Sequence, residues 1–248
     1  MKRFKDFALG VLVFAGIGFL IYNLLQYDHK RTNRELARQI ANLSPRGGPP
    51  DTVESLRQTI TLYEAQIERN VSESAQTGVY WKILATRFAD TGMHNDALAA
   101  LERSIYYNAE DPVLFYLTGV SAGMVAKSHV GFSGTTVRDR EHYFELSENA
   151  YLRALELDSS YTRPMYGLGI LYAFELDRPA DAIVYLEELL SYHPSDIHAL
   201  FVLARAYYMT GQSRRAIEIY DRIISSTRDR KIREDALNNI EIIQRQML

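Results

Sequence analysis

The sequence predicts an all-α protein in which helical hairpins stack into a superhelix, an α-solenoid, behind a single N-terminal transmembrane helix. Three observations support this fold class. Residues 7–25 are almost entirely apolar. From residue 51 onward, apolar residues recur at helical spacing and show no convincing alternation typical of a strand. One pattern of large and small residues also returns along the chain, first after 34 residues, and such recurrence is typical of repeat proteins.

Composition narrows the functional class. The chain has 248 residues, of which 24% are charged and 47% hydrophobic, as in ordinary globular proteins. The formal net charge of −3 gives no general attraction to nucleic acid, so no nucleic-acid partner is expected. The absence of cysteine excludes disulfides, thiol nucleophiles and cysteine zinc sites. No phosphate-binding glycine loop or HExxH motif occurs. We therefore expect no enzyme activity, cofactor, metal site or small-molecule substrate.

The N-terminal apolar segment predicts a membrane anchor. Residues 7–25 read "FALGVLVFAGIGFLIYNLL" without a formal charge, and a helix of this length spans roughly the 30 Å of a hydrocarbon core. A cleaved signal peptide is the alternative, since Lys2, Arg3 and Lys5 precede the run. The run is longer than a usual signal-peptide core, and no small-x-small cleavage site follows it. The prediction is therefore a single-pass protein that contacts the lipid bilayer through residues 7–25.

The orientation of the anchor rests on flanking charges that disagree. A short basic tail before the span favours a soluble domain outside the cytoplasm, so we expect an inner-membrane protein with a periplasmic body. Lys30, Arg31, Arg34 and Arg38 follow the span and favour the opposite orientation under the positive-inside rule. The cytoplasmic orientation therefore stays open.

The remaining chain divides by its helix-breaking residues. Leu36, Ile40 and Leu43 have helical spacing, and "SPRGGPPD" then ends that helix, because prolines after glycines do not continue it. The predicted segments are a basic tail and anchor at 1–27, a helical stalk and linker at 28–50, a packing helix at 51–77, four repeats at 78–228 and a capping helix at 229–248.

Four rounds of one pattern occupy the repeat region. The full pattern has a large residue, Leu, a small residue and an aromatic on a first helix, then small and bulky residues on a second; the second round matches it only in part, with Ala122 in place of the aromatic. The first-helix residues include Trp81, Leu84, Ala85 and Phe88; Phe115 and Gly119; Met165, Leu168, Gly169 and Tyr172; and Leu203, Ala204 and Tyr207. We predict that Ala85, Gly119, Gly169 and Ala204 let the second helix approach closely, opposite Ala97, Ser147, Ala182 and Ala216.

These residues are similar to the tetratricopeptide repeat (TPR) family pattern, and the architecture resembles the membrane-anchored bacterial type. The third round, "MYGLGILY" followed by "ADAIVYLEELLSYHP", is nearly complete, and the resemblance covers about residues 78–228. It implies hairpins of helices A and B, with the A helices lining a concave groove for peptide ligands. Projected onto this chain, that groove contains Lys82, Thr86, Tyr116, Val120, Arg163, Tyr166, Ile170, Phe201, Arg205 and Tyr208.

The resemblance also bears on the chemistry of the ligand. Chaperone-binding members hold a C-terminal carboxylate with a Lys and Asn clamp. Lys82 matches one basic position, but Thr86 replaces the neighbouring Asn, and Leu117 and Gly167 stand where further polar clamp residues are expected. An amphipathic helix or extended segment with apolar anchors and some acidic character fits this groove better. The alternative is that the tyrosines only pack between neighbouring helices.

The second round is interrupted. Twenty-eight residues separate Gly119 from Ser147, whereas 12 separate Ala85 from Ala97, so we predict an insertion at about 127–142 in the turn between the two helices. The stretch "SHVGFSGTTVRDREH" holds histidines and hydroxyls, but its spacing enforces no catalytic triad geometry. It predicts a lengthened start of helix B and a partner contact through His129, Phe132 and Arg138.

Together these features predict a membrane-tethered adaptor or scaffold that binds a protein partner through the groove and the insertion. The architecture resembles single-span bacterial TPR proteins of envelope machines. Two alternatives remain: a structural subunit of a large envelope assembly, such as a secretion apparatus or flagellar motor-associated collar, or a regulator of a membrane enzyme on the cytoplasmic face.

Overall fold

The computed structural model describes Arg34, Glu35, Arg38 and residues 53–128 and 137–247, and the regular structure in these ranges is helical. The all-α prediction is thus confirmed for the described residues. The predicted anchor at 7–25, the linker at 44–50 and the centre of the insertion at 129–136 lie outside them. No helix in the described part of the chain is long and apolar enough to cross a membrane. The anchor therefore stays a prediction.

The helices follow one another with short connections. They are α1 (Val53–Asp90), α2 (His94–Tyr107), α3 (Pro112–Ser128), α4 (Val137–Leu157), α5 (Thr162–Ile170), which continues into a π-helical turn (Leu171–Glu175), α6 (Pro179–Tyr192), α7 (Ile197–Met209), α8 (Ser213–Ser226) and α9 (Arg230–Gln246).

The chain divides into two compact units, Met1–Glu73 and Ser74–Leu248. In the described part of the first unit, Arg34, Glu35 and Arg38 are helical, and the residues of α1 up to Glu73 follow after the linker. The second unit holds the end of α1 and helices α2 to α9. A single helix, α1, thus covers both the predicted packing helix at 51–77 and the first helix A. Only Gly78 stands between them in the sequence, and one glycine does not end a helix.

Aspartates fix the starts of three helices. The Asp111 carboxylate accepts the backbone N–H of Val113 (2.9 Å) at the start of α3, and the Asp196 carboxylate accepts that of Ala199 (3.0 Å) at the start of α7. Asp229 accepts two backbone N–H groups of α9 in the same way. Each bond satisfies a donor that has no partner inside the helix, so the boundaries follow from local sequence.

The small residues of the repeat pattern lie where the helices of each pair touch. Ala85, Ala97, Ala182, Ala204 and Ala216 are at most 1% exposed. In the second pair, the buried Ser147 hydroxyl donates to the carbonyl oxygen of Gly119 at 2.8 Å, so the two helix backbones are within reach of one short side chain. This confirms the predicted close approach at these positions.

The insertion is partly helical. Helix α4 has 21 residues, whereas α2, α6 and α8, the other B helices, have 14 each. The predicted lengthened start of helix B is confirmed. Helix α3 also runs on to Ser128, two residues into the predicted insertion at 127–142. Residues 127–128 and 137–142 therefore extend the hairpin instead of forming a loop.

The third repeat contains an irregularity that the sequence prediction missed. Its first helix ends in the π-helical turn Leu171–Glu175, where the N–H of Leu176 donates to the carbonyl oxygen of Leu171 at 3.0 Å. Asp177 then has a φ of 52°, a region that Gly92 and Gly211 occupy in the first and fourth repeats. Spacing contains the signal: 13 residues separate Gly169 from Ala182, one more than the 12 that separate Ala204 from Ala216.

Candidate functional site

The A helices of the second, third and fourth repeats form one surface. Helices α3, α5 and α7 neighbour one another in this order, while the B helices α4, α6 and α8 pack on them from the other side. Predicted groove residues Tyr116, Tyr166, Ile170, Phe201 and Tyr208 are all half-buried on these A helices. The structure therefore places these residues on neighbouring A helices, and part of each side chain is open to solvent.

Tyrosines and one arginine cluster between α3 and α5. The Tyr116 ring lies 5.5 Å from the Tyr161 ring and 6.2 Å from the Tyr151 ring, measured between centroids. The Arg163 guanidinium lies 6.0 Å from the Tyr116 centroid, within cation–π range, while the Arg163 side chain remains exposed. Burial raises the pKa of the Tyr161 hydroxyl, so this hydroxyl is neutral and remains a hydrogen-bond donor at physiological pH.

Tyr151 anchors this cluster from behind. It comes from helix B of the second repeat, is only 7% exposed, and reaches between the two A helices. A Cβ atom built on Gly119 of α3 or on Gly167 of α5 would lie 2.5 Å or 2.6 Å from its ring. Burial, with a smaller contribution from Tyr116, raises the pKa of the Tyr151 hydroxyl strongly. The two glycines thus make the slot that sets the spacing of α3 and α5.

The groove continues onto α7. Tyr166 of α5 is half-buried, and burial, followed by the negative charge of Asp196, raises the pKa of its hydroxyl. Phe201 packs edge-on against Tyr220 of helix B at 5.9 Å between centroids. The guanidinium of the exposed Arg205 lies 5.9 Å from the Phe174 ring, which is 49% exposed. Two arginines, Arg163 and Arg205, therefore lie beside aromatic rings on these A helices or next to them.

Three predicted groove residues are engaged within the chain. The Lys82 ammonium pairs with the Asp111 carboxylate at 2.8 Å, and the Thr86 hydroxyl donates to the carbonyl oxygen of Lys82 at 2.9 Å. The Tyr208 hydroxyl donates to the Gln246 side chain of α9. Because the Lys82 ammonium already pairs with the Asp111 carboxylate, the structure gives no support to Lys82 as a free basic group that would bind a ligand carboxylate. Asp111 was missed because its partner lies 29 residues away in the sequence.

Of the three residues predicted to form the insertion contact, the structure describes one. His129 and Phe132 lie outside the described residues, whereas Arg138 lies in the first turn of α4 and is exposed. The predicted contact through these three residues therefore stays a prediction.

Sequence reasoning also missed a furrow on the side of the B helices. It lies between α2 and α4 over a different face of α3, has a volume of about 630 Å³, and is mostly apolar. Its lining consists of Leu98, Ala99, Glu102, Ile105, Phe115, Thr118, Tyr143, Leu146, Asn149, Ala150 and Arg153. The sequence did contain a signal for this furrow. Helices α2 and α4 carry apolar residues at helical spacing that the repeat pattern does not require, such as Leu98, Ile105 and Leu146.

Comparisons with known proteins agree with this geometry. The tetratricopeptide repeat family profile matches residues 173–236. A TPR repeat-containing protein of Borreliella burgdorferi is 22% identical over 177 residues, which are 71% of this chain and 74% of that protein.

Solved structures share the same fold. A thermophilic TPR protein of Thermus thermophilus, TTC0263, superimposes with a TM-score of 0.53 at 16% identity, covering 83% of this chain and 97% of that one. MamA from Desulfovibrio magneticus RS-1 superimposes with a TM-score of 0.52 at 15% identity, covering 68% and 96%. At these identities the likeness shows the fold alone.

Profile, relative and structures point to one architecture, and the buried small residues of each hairpin supply its physical basis. A TPR fold is a protein–protein interaction scaffold, whose stacked helices present long surfaces to other proteins. Residues 173–236 match the tetratricopeptide repeat family, and the described helices have the TPR fold.

Proposed function

We propose that this protein is a membrane-tethered scaffold that holds a protein partner in the groove formed by α3, α5 and α7. The partner segment is an amphipathic helix or extended strand with apolar anchors and acidic residues. The tether is the predicted span at 7–25, the body is extracytoplasmic, and the setting is a bacterial envelope machine.

The half-buried aromatic surface with exposed arginines carries this proposal. Tyr116, Tyr166 and Phe201 offer apolar faces on successive A helices, and the exposed Arg163 and Arg205 stand beside aromatic rings. Aromatic and arginine side chains are the residue types that dominate binding energy at protein interfaces. The arginines favour a ligand with carboxylates, because complementary charge steers association and selects the partner.

Reversing the groove charge is expected to release the partner. We expect Arg163→Glu combined with Arg205→Glu to lower the amount of partner recovered by about tenfold, because glutamates would repel acidic ligand residues. Both arginine side chains are exposed, so the fold should be retained. The measurement is crosslinking in native membranes, affinity capture and quantitative mass spectrometry.

A matched control comes from helix B of the fourth repeat. Arg214 is exposed on α8, and Arg214→Glu reverses one charge outside the A helices of the groove, as Arg163→Glu alone reverses one charge within the groove. Equal partner loss in the control and the groove variant, or no loss in either, would contradict groove binding.

The tether makes a separate prediction. Deleting residues 1–27 is expected to move the protein from the membrane fraction to the soluble fraction, because the almost entirely apolar segment 7–25 supplies its affinity for the bilayer. Full-length protein should leave the membrane only with detergent and should be digested by protease added to spheroplasts. Full-length protein washed off by high salt would disprove the anchor, and protection from protease would reverse the orientation.

One observation favours a second candidate, a structural subunit of an envelope assembly. Within the first unit, α1 exposes apolar side chains at helical spacing; Leu56, Ile60, Tyr63, Ile67 and Val71 are each 41% to 63% exposed. Exposed apolar stripes of this kind mark interaction sites. Purification in mild detergent separates the candidates: a fixed stoichiometric complex that persists in the groove variant identifies a subunit, whereas a partner lost with that variant identifies a scaffold.

A further inference from the structure

Two departures from the regular repeat meet in space. The second repeat has the hairpin extension, which we define as residues 127–128 of α3 and 137–142 of α4. The third repeat has the extra residue that produces the π-helical turn, and we call residues 171–178 the third-repeat turn. A regular repeat has neither feature, yet the two are in direct contact.

A single carboxylate joins the two features. One oxygen of Glu175 lies 2.9 Å from the Lys127 ammonium at the end of α3, and the other lies 3.7 Å from the Arg140 guanidinium in the first turns of α4. The Glu175 side chain is only 16% exposed, although both cations are about half exposed. Glu175 therefore contacts both helices of the hairpin extension at once, and because both cations are half exposed, dissolved salt weakens the two ion pairs.

A second carboxylate makes the reciprocal connection. Glu148, on α4, accepts a hydrogen bond from the Tyr172 hydroxyl at 2.8 Å and pairs with the Arg178 guanidinium at 2.8 Å. Tyr172 and Arg178 belong to the third-repeat turn. The third-repeat turn thus supplies one acidic residue to the hairpin extension and receives one from the adjoining part of α4. The cleft beside these contacts, about 380 Å³, has the buried Phe144 and the half-buried Leu176 on its walls.

The extra residue explains why Glu175 is available. Successive residues of a helix are turned by about 100°, so one added residue redirects every side chain at the end of the helix. In the first and fourth repeats, the chain closes by a bond from Met93 N–H to Phe88 or from Gln212 N–H to Tyr207. The equivalent bond here, from Arg178 N–H to the carbonyl oxygen of Tyr172, spans one residue more.

We infer that the third-repeat turn is a positioning device for the hairpin extension, with Glu175 as its positioning residue. It holds the extended ends of α3 and α4 against the array, so that they move with the third repeat and not as a separate arm. The inference concerns how the hairpin is held, and it stands whether or not a partner occupies the groove.

Hydrogen exchange of the full-length protein, followed by mass spectrometry, tests this inference. We expect Glu175→Gln to accelerate amide exchange in the hairpin extension about fivefold, while exchange in α7 and α8 stays unchanged. High salt should accelerate exchange there in the unmodified protein and have little further effect in the variant, because only an ion pair is screened. If Glu175→Gln acted only by loosening the packing, high salt would still accelerate exchange in the variant.

Two further variants keep the test decisive. Glu156→Gln removes an ion pair between Arg153 and Glu156 on the exposed surface of α4. It should leave amide exchange in the hairpin extension unchanged. Lys127→Gln removes the ion pair between Lys127 and Glu175 from the side of the hairpin extension. It should accelerate exchange in the hairpin extension by a smaller factor, because Arg140 still contacts Glu175. This variant keeps the test valid if Glu175→Gln folds poorly. Unchanged exchange in the hairpin extension of both Glu175→Gln and Lys127→Gln, or equal acceleration in all repeats, would overturn the inference.

Discussion

Replacing Gly169 with leucine is expected to lower the free energy of unfolding by roughly 1–3 kcal/mol or more. A Cβ atom at Gly169 would lie 2.6 Å from a methyl carbon of Leu186, which is fully buried in helix α6. A leucine there must push α5 and α6 apart, and this separation breaks the contact on which the third hairpin depends. Urea denaturation followed by circular dichroism measures the change.

Gly123 provides the matched control for Gly169. It also lies inside an A helix, but a Cβ atom there would meet only the Ser147 hydroxyl oxygen, at 3.4 Å. Gly123→Ala is therefore expected to leave stability unchanged or to raise it by up to about 1 kcal/mol through helix propensity. Unfolding of Gly169→Leu at the same urea concentration as the unmodified protein would show that Gly169 does not pack against Leu186 of α6.

Truncating Tyr151 to alanine is expected to cost about 3–5 kcal/mol, the range for removing a buried aromatic side chain. The ring fills the slot between Gly119 and Gly167, and glycines cannot close the space that its loss would leave. Helices α3 and α5 would then lose the side chain that separates them. Thermal unfolding should show a lower midpoint in Tyr151→Ala.

Tyr106 supplies the control for the loss of an aromatic ring. It is 77% exposed at the end of α2 and contacts Tyr107 and Arg103 at the surface. Tyr106→Ala should change stability by no more than about 0.5 kcal/mol. Similar effects of the two tyrosine substitutions would show that Tyr151 is not the buried spacer between the A helices.

The hairpin contacts were predictable because they depend on local spacing. Small residues at Ala85, Gly119, Gly169 and Ala204 face small residues 12 or more positions later, and both members of each pair are buried. Residue size and helical periodicity are properties of short sequence windows, so the contacts follow from the sequence alone. The lengthened helix α4 followed from the same counting.

The irregular third repeat was not predicted, although its signal was present. One extra residue between Gly169 and Ala182 is visible in the sequence, but a single added residue fits a longer loop as well as a π-helical turn. Which side chain then faces the neighbouring hairpin depends on the backbone path. The contact of Glu175 with Lys127 and Arg140 therefore required the structure.

For the candidate groove, the sequence predicted which residues lie on the A helices but not which of them have partners elsewhere in the chain. The repeat register identified residues of the A helices, but it gave no account of their partners within the chain. Lys82 is held by Asp111 and Tyr208 by Gln246, and each pair joins residues that are distant in the sequence. Their availability to a ligand is set by tertiary contacts, which the register does not contain.

Site-specific photo-crosslinking in native membranes tests the central claim most directly. A photoreactive phenylalanine analogue is introduced at Tyr166 in the groove and, as the control, at Tyr106 on the exposed surface of helix B. The scaffold account predicts a discrete crosslinked product from position 166 that disappears in the Arg163→Glu and Arg205→Glu background, and no such product from position 106. A product from position 106 alone, or none from position 166, would contradict partner binding in the groove.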